Sequence, residues 1–136
     1  MELRKDRHTV SMLTDHLVFS PKYRGKMLVG EVALRTEEII TKTCDELGVD
    51  IIEMVVNVDH VHIFYSYPPK HSVSCIAQII KRKSSIALRR EFPHLKIWCK
   101  EHLWAPSCFH GRVGQGFDVV ERYITTQKQY HLKEGK

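Results

Sequence analysis

An α+β fold is expected for this chain: an antiparallel sheet in β-α-β-β-α-β order, helices on one face, and one further helix appended after the last strand. Three observations point to it. Segments with period-two apolar spacing alternate, in that order, with segments whose spacing is near 3.6. Two strand-like runs surround a tight turn near Asn57–Asp59, the mark of a hairpin. No repeat, low-complexity run or long linker divides the 136 residues, so one domain over 1–136 is expected.

Residues 1–10 are polar and expected to be loosely ordered. The first strand falls within 11–24, with Leu13, Leu17, Val18 and Phe19 as its apolar content, and Pro21 and Gly25 end it. A helix follows over 30–48. Val32, Ile39, Ile40, Thr43, Cys44 and Leu47 form its stripe, and Gly48 is a natural stop. On the first strand of the hairpin (49–68), Ile52, Met54, Val56 and Val58 are expected on one face, with Glu53 and Asn57 on the other. The second helix spans 72–93. Ser72 caps it, Val73, Ile76, Ile80, Ala87 and Leu88 make its buried stripe, and Pro93 follows its end. The stretch 95–114 is expected to be β-rich and irregular. The last helix lies within 114–131, capped by Asp118 with Glu121 three residues on. This is the split βαβ, ferredoxin-like arrangement, which says nothing about function without a site.

At 43% hydrophobic and 27% charged, the composition is that of a globular protein rather than a disordered one. The longest apolar runs are too short to span a bilayer. "MELRKDRHTV" carries charge with no apolar region behind it, which predicts no leader peptide and a cytoplasmic protein. Cys44, Cys75, Cys99 and Cys108 include no CxxC pair and are expected as scattered reduced thiols, with Cys44 and Cys75 in apolar helix stripes. The net charge of +5 favours an anionic partner, most often nucleic acid.

"VDHVHIFYSY" (58–67) places His60 and His62 on either side of Val61. Side chains two apart on a strand share a face, about 7 Å apart, so both imidazoles project together while Val61 points into the core. Imidazole is the commonest metal ligand, and a rigid strand makes the pair half of a metal site. The same spacing is compatible with two solvated histidines that bind nothing. No cysteines stand at zinc spacing to complete a tetrahedral site.

On the last helix, Tyr123 and Gln127 are four apart and share a face, while Val120 and Ile124 turn towards another. An amphipathic packing helix has the same pattern. Gly111, Gly114 and Gly116 precede it, three of the seven glycines in the chain, and a helix so tethered over 117–131 can swing.

His-hydrophobic-His on the third element of a βαββαβ chain, followed by a late Tyr-x-x-x-Gln helix, resembles the HUH single-tyrosine transposases of the insertion-sequence 200/605 group. "HLVFSPKYR" (16–24), "VNVDHVHIFYSYPP" (56–69), "KRKSS" (81–85), "LWAPSCFHGRVG" (103–114) and "VERYITTQ" (120–127) are similar to that family too, so the likeness spans roughly 11–131. Cys108 stands where an aromatic residue is expected, and Ala105 where serine is. The resemblance implies that His60, His62 and Gln127 hold a divalent ion, Mg2+ or Mn2+, and that Tyr123 is the nucleophile. It implies cleavage and rejoining of single-stranded DNA at transposon ends through a 5′-phosphotyrosine. The substrate it implies carries hairpins near those ends. It also implies a homodimer whose active site is shared between subunits, and no membrane. Tyr130 lies on a similar face but has no Gln four residues on.

Lys22, Arg24, Lys81, Arg82, Lys83 and Arg89 are candidate DNA contacts, beside the alternative of an ordinary solvated face. Tyr65, Tyr67, Trp98, Trp104 and Phe109 include candidates for base stacking, most of them expected in the core. Two rival functions stand. A metal-dependent phosphodiesterase or nuclease would use the histidines without a covalent intermediate, although Phe64 occupies the place of a third alternate histidine. A non-catalytic single-stranded DNA-binding module would keep only the basic surface.

Overall fold

The computed structural model describes residues 12–111. Within them run β1 (Leu13–Phe19), α1 (Gly30–Leu47), β2 (Asp50–Asn57), β3 (His60–Tyr67), α2 (Val73–Glu91), α3 (Pro93–Trp98) and β4 (Phe109–Gly111). A single 3-10 turn, Lys22–Arg24, follows β1. The strands form one sheet in the order β2-β3-β1-β4, antiparallel at every pairing. That is the expected α+β, ferredoxin-like sheet. Residues 1–11 and 112–136, with the expected tyrosine-bearing helix over 117–131, lie outside the described residues. No helix among the described residues is long and apolar enough to cross a membrane.

The two faces of the sheet differ, and the alternation of β3 decides how. Val61, Ile63, Tyr65 and Tyr67 are buried with Leu17 and Phe19 of β1. Val32, Ile39, Ile40 and Cys44 of α1 and Ile76, Ala77, Ile80 and Leu88 of α2 complete this core. His60, His62, Phe64 and Ser66 point the other way, each partly exposed.

Both long helices form for local reasons. Gly48 takes the left-handed conformation (φ +71°) that ends α1, and its N–H closes onto the carbonyls of Asp45 and Cys44. Thr36 and Thr43 are buried in the stripe of α1. Their hydroxyls donate back to Val32 O at 2.7 Å and Ile39 O at 2.8 Å, so neither is left unsatisfied. α2 starts at Ser72, whose Oγ accepts the Cys75 N–H at 3.1 Å.

Three sequence expectations are corrected. The β2–β3 register shifts between Ile51 and Glu53, a β-bulge. Ile51 therefore takes the core position opposite Tyr65, and Ile52, expected on the same face as Met54 and Val56, is 55% exposed. Val58 falls in the turn and is also exposed. The described part of the stretch, 95–111, is less β-rich than expected: Pro93 opens the short helix α3, and the strand content there is β4 plus one bridge, Trp104 to Pro21. Finally, Cys75 lies on the solvent side of α2 instead of in its stripe, whereas Cys44 is buried; all four cysteines are free.

Candidate active site

β3 carries His60 and His62 on the open face, and its neighbours line the same surface. Asn57 of β2 stands opposite His60. Val55 and Val18 flank His62, and Glu53 and His16 flank Phe64. Val61, between the histidines, is fully buried on the other side, as its spacing predicted.

His60 is held at both ring nitrogens. Its Nδ1 lies 3.1 Å from Asp59 Oδ1, and its Nε2 lies 2.9 Å from Asn57 Nδ2. Asp59 is in turn bound through Oδ2 to Arg24 Nη2 at 2.7 Å. Burial disfavours the Asp59 carboxylate, but the His60 hydrogen bond and Arg24 outweigh it and hold its pKa below the usual value.

His62 is different. Its Nε2 is buried and has no hydrogen-bond partner among the described residues. Burial, with His16 beside it, lowers its pKa from the ordinary 6.5, against an opposing pull from Glu53. The ring is therefore neutral near pH 7, with a desolvated nitrogen that nothing described satisfies. A divalent cation suits such a donor. Among the described residues no three His, Cys, Asp or Glu side chains converge on a metal position. Tyr123 and Gln127 lie outside the described residues.

The expected DNA contacts divide into three groups. Lys22, Lys81, Arg82 and Arg89 line a groove of about 900 Å³ between α2 and the 101–110 segment, with His102 and Trp104. Within it, Lys81 is partly committed: its Nζ donates to Ala105 O at 2.8 Å. Lys83 pairs with Glu46 at 3.0 Å, away from that groove. Arg24 is tied to Asp59 beside His60. Of the aromatic candidates, Tyr65, Tyr67 and Trp104 are buried, while Trp98 is exposed and Phe109 partly so.

Four residues on or beside this surface were not singled out as site candidates in the sequence. His16 stacks edge-on against His62, with ring centroids 4.9 Å apart. Period-two alternation along β1 would have placed it on the face of Val18, but not next to His62, which needs the β1–β3 register. Asn57 ends β2 and Asp59 lies in the hairpin turn, while Tyr23, 52% exposed, sits in the 3-10 turn beside Arg24.

A family described as "Transposase IS200 like" matches residues 9–127. The transposase for insertion sequence element IS200 from Salmonella typhimurium is 34% identical over 122 residues, 89% of this chain and 78% of that protein. The ISDra2 transposase TnpA of Deinococcus radiodurans is 32% identical over 137 aligned positions, 98% of this chain and 95% of that protein. Among solved structures, a candidate transposase from Deinococcus radiodurans R1 superposes with a TM-score of 0.81 at 30% identity, over 87% of this chain and 92% of its own. A REP-associated tyrosine transposase bound to a REP hairpin shares the fold: TM-score 0.58, 18% identity, 81% of this chain and 61% of its own.

Proposed function

The chain belongs to the IS200-like transposase family, and on that premise we propose that it cuts and rejoins single-stranded DNA at transposon ends with Tyr123 as nucleophile. One observation carries the reading: two imidazoles share the open face of the sheet, and one of them, His62, has a buried nitrogen with no partner among the described residues. His60 and His62, with the carboxamide of Gln127, would hold Mg2+ or Mn2+. Nitrogen donors suit Mn2+ better, while both ions accept oxygen donors from water and phosphate. When bound, the ion supplies positive charge that draws in a phosphate oxygen and polarises phosphorus.

The Tyr123 hydroxyl gives up its proton as its oxygen attacks phosphorus. A P–O bond to tyrosine forms and the P–O3′ bond breaks. The departing 3′ oxygen takes a proton and leaves as a free hydroxyl, while the 5′ phosphate stays on the enzyme. Because the phosphodiester energy is kept in the adduct, a 3′ hydroxyl can reverse the step and join strands without a nucleotide cofactor. Lys22, Arg82 and Arg89 in the groove beside α2 would bind backbone phosphates. The hairpin held by the REP-associated neighbour supports a hairpin-bearing single strand as substrate. A homodimer, in which the tyrosine helix of one subunit completes the histidine site of the other, is part of the same proposal.

The test is a denaturing gel with labelled single-stranded hairpin DNA and Mn2+. Wild-type protein is expected to give a covalent protein–DNA band, and Tyr123→Phe none, with DNA binding nearly unchanged. A Tyr123→Phe protein that still forms the adduct would remove Tyr123 from the mechanism. Nicked product without any adduct would replace transfer by hydrolysis.

A further inference from the structure

Between β1 and α1 the chain makes a turn that its residue types do not favour. Tyr23 (φ +59°) and Arg24 (φ +50°) both occupy the left-handed region, which side chains other than glycine rarely adopt in succession. Such a conformation persists only where its surroundings over-determine it. Here they do. Lys22 N–H donates to Leu103 O at 2.9 Å, and Arg24 N–H donates to Pro21 O at 3.0 Å. Gly25 lies against the Trp98 indole so closely that a Cβ would come within 2.6 Å of a ring carbon. The backbone of Arg24 is thus anchored from α3 and the 103–104 segment, and its guanidinium reaches 35 residues along the chain to Asp59.

Asp59 uses its two oxygens for two purposes. Oδ2 takes the Arg24 guanidinium and Oδ1 takes His60 Nδ1. The turn holding Asp59 is pinned again by Leu28 N–H, which donates to Val58 O at 3.0 Å. On the far side of the ring, Asn57 Nδ2 is a donor, so His60 Nε2 must accept. The two contacts agree. A carboxylate at Nδ1 and an amide donor at Nε2 specify one neutral tautomer, with its proton on Nδ1 and its lone pair on Nε2.

We infer that Arg24 and Asp59 are positioning residues that preset His60 for metal, with Asn57 standing where the cation would take the Nε2 lone pair. A carboxylate on the distal nitrogen is the arrangement that orients histidine ligands and raises their basicity. Arg24 acts one step further out: it fixes the carboxylate that fixes the ring. The inference rests on the proposed metal role of His60, but its first measurement needs no metal.

That measurement is the ring 15N chemical shifts of His60 in the full-length, metal-free protein, assigned against His60→Gln. Wild type is expected to show the Nδ1–H tautomer, and Asp59→Ala to shift towards Nε2–H. Calorimetric titration with Mn2+ is expected to show a loss of affinity of about tenfold or more in Asp59→Ala. Asp59→Asn should recover part of it, because its carboxamide oxygen can still accept the Nδ1 proton; Arg24→Ala should fall between. A merely structural tie would lower the melting temperature and leave tautomer and affinity alone. A folded Asp59→Ala protein with both properties unchanged would overturn the inference. So would a wild-type His60 in the Nε2–H form, which decides the matter even if the variants do not fold. Wild-type protein with the Nδ1–H tautomer and no Mn2+ binding would instead refute the metal site and uphold the positioning.

Discussion

Asp15 shows how much one residue can join. It is 4% exposed, yet it accepts a hydrogen bond from the Tyr65 hydroxyl at 2.7 Å and another from His110 Nδ1 at 2.6 Å. It therefore ties β1 to β3 on one side and to β4 on the other. Burial, then the bond to Asp15, drives the Tyr65 hydroxyl well above its ordinary pKa. His110 gains from the same carboxylate, and its pKa rises from 6.5 to about 9. The folded state thus holds this proton more tightly than the unfolded chain does. The stability it contributes is fully present below pH 6.5 and is lost as pH rises through about 9. Melting temperatures measured from about pH 6 to about pH 9.5 should fall more in wild type than in His110→Gln. Equal falls would remove the ion pair from the stability of β4. Nothing in the sequence near Asp15 announces this partner, which lies 95 positions away.

At the scale of elements, α2 and the irregular stretch after it explain each other. Ser84 Oγ accepts the Trp104 indole N–H at 2.9 Å, and Ser85 Oγ accepts the Leu103 N–H at 3.2 Å. Lys81 adds the carbonyl of Ala105. The "KRKSS" and "LWAPSC" phrases are therefore two halves of one joint, which also carries the turn that directs Arg24. Ser84→Ala would leave a buried indole N–H unsatisfied, at a cost of about 1–3 kcal/mol. Chemical denaturation should show that loss. A smaller effect would mean that the joint relies on apolar packing around Trp104. The helices themselves were legible, because 3.6 spacing, the Ser72 cap and the Gly48 stop are local signals. The bulge at Ile51 to Glu53 and the short helix α3 were not. A register shift is a property of two strands, and α3 is only six residues long.

For the whole molecule, the sheet separates two surfaces. The open face presents the histidines; the helix side, beside β4, presents the basic groove. If the groove binds DNA backbone, affinity should fall linearly with salt on a log–log plot. Arg82→Ala should flatten that slope by about 1, and Lys83→Ala, whose lysine pairs with Glu46, should change it little. Fluorescence anisotropy with single-stranded hairpin DNA at several salt concentrations checks both. A slope unmoved by Arg82→Ala would take the groove out of DNA binding.

Alternation along β3 already placed His60 and His62 side by side, with Val61 as their anchor, because strand geometry makes neighbours two apart share a face. The order of the four strands and the two long helices was equally readable, since periodicity and capping act within a few residues. Folding alone brought His16 against His62, Arg24 onto Asp59 and Asp59 onto His60. The residues in the first two of these contacts lie far apart in sequence and meet through sheet register and through a turn held in an unfavourable backbone conformation. Neither leaves a periodic trace, so both become visible only once the chain has packed.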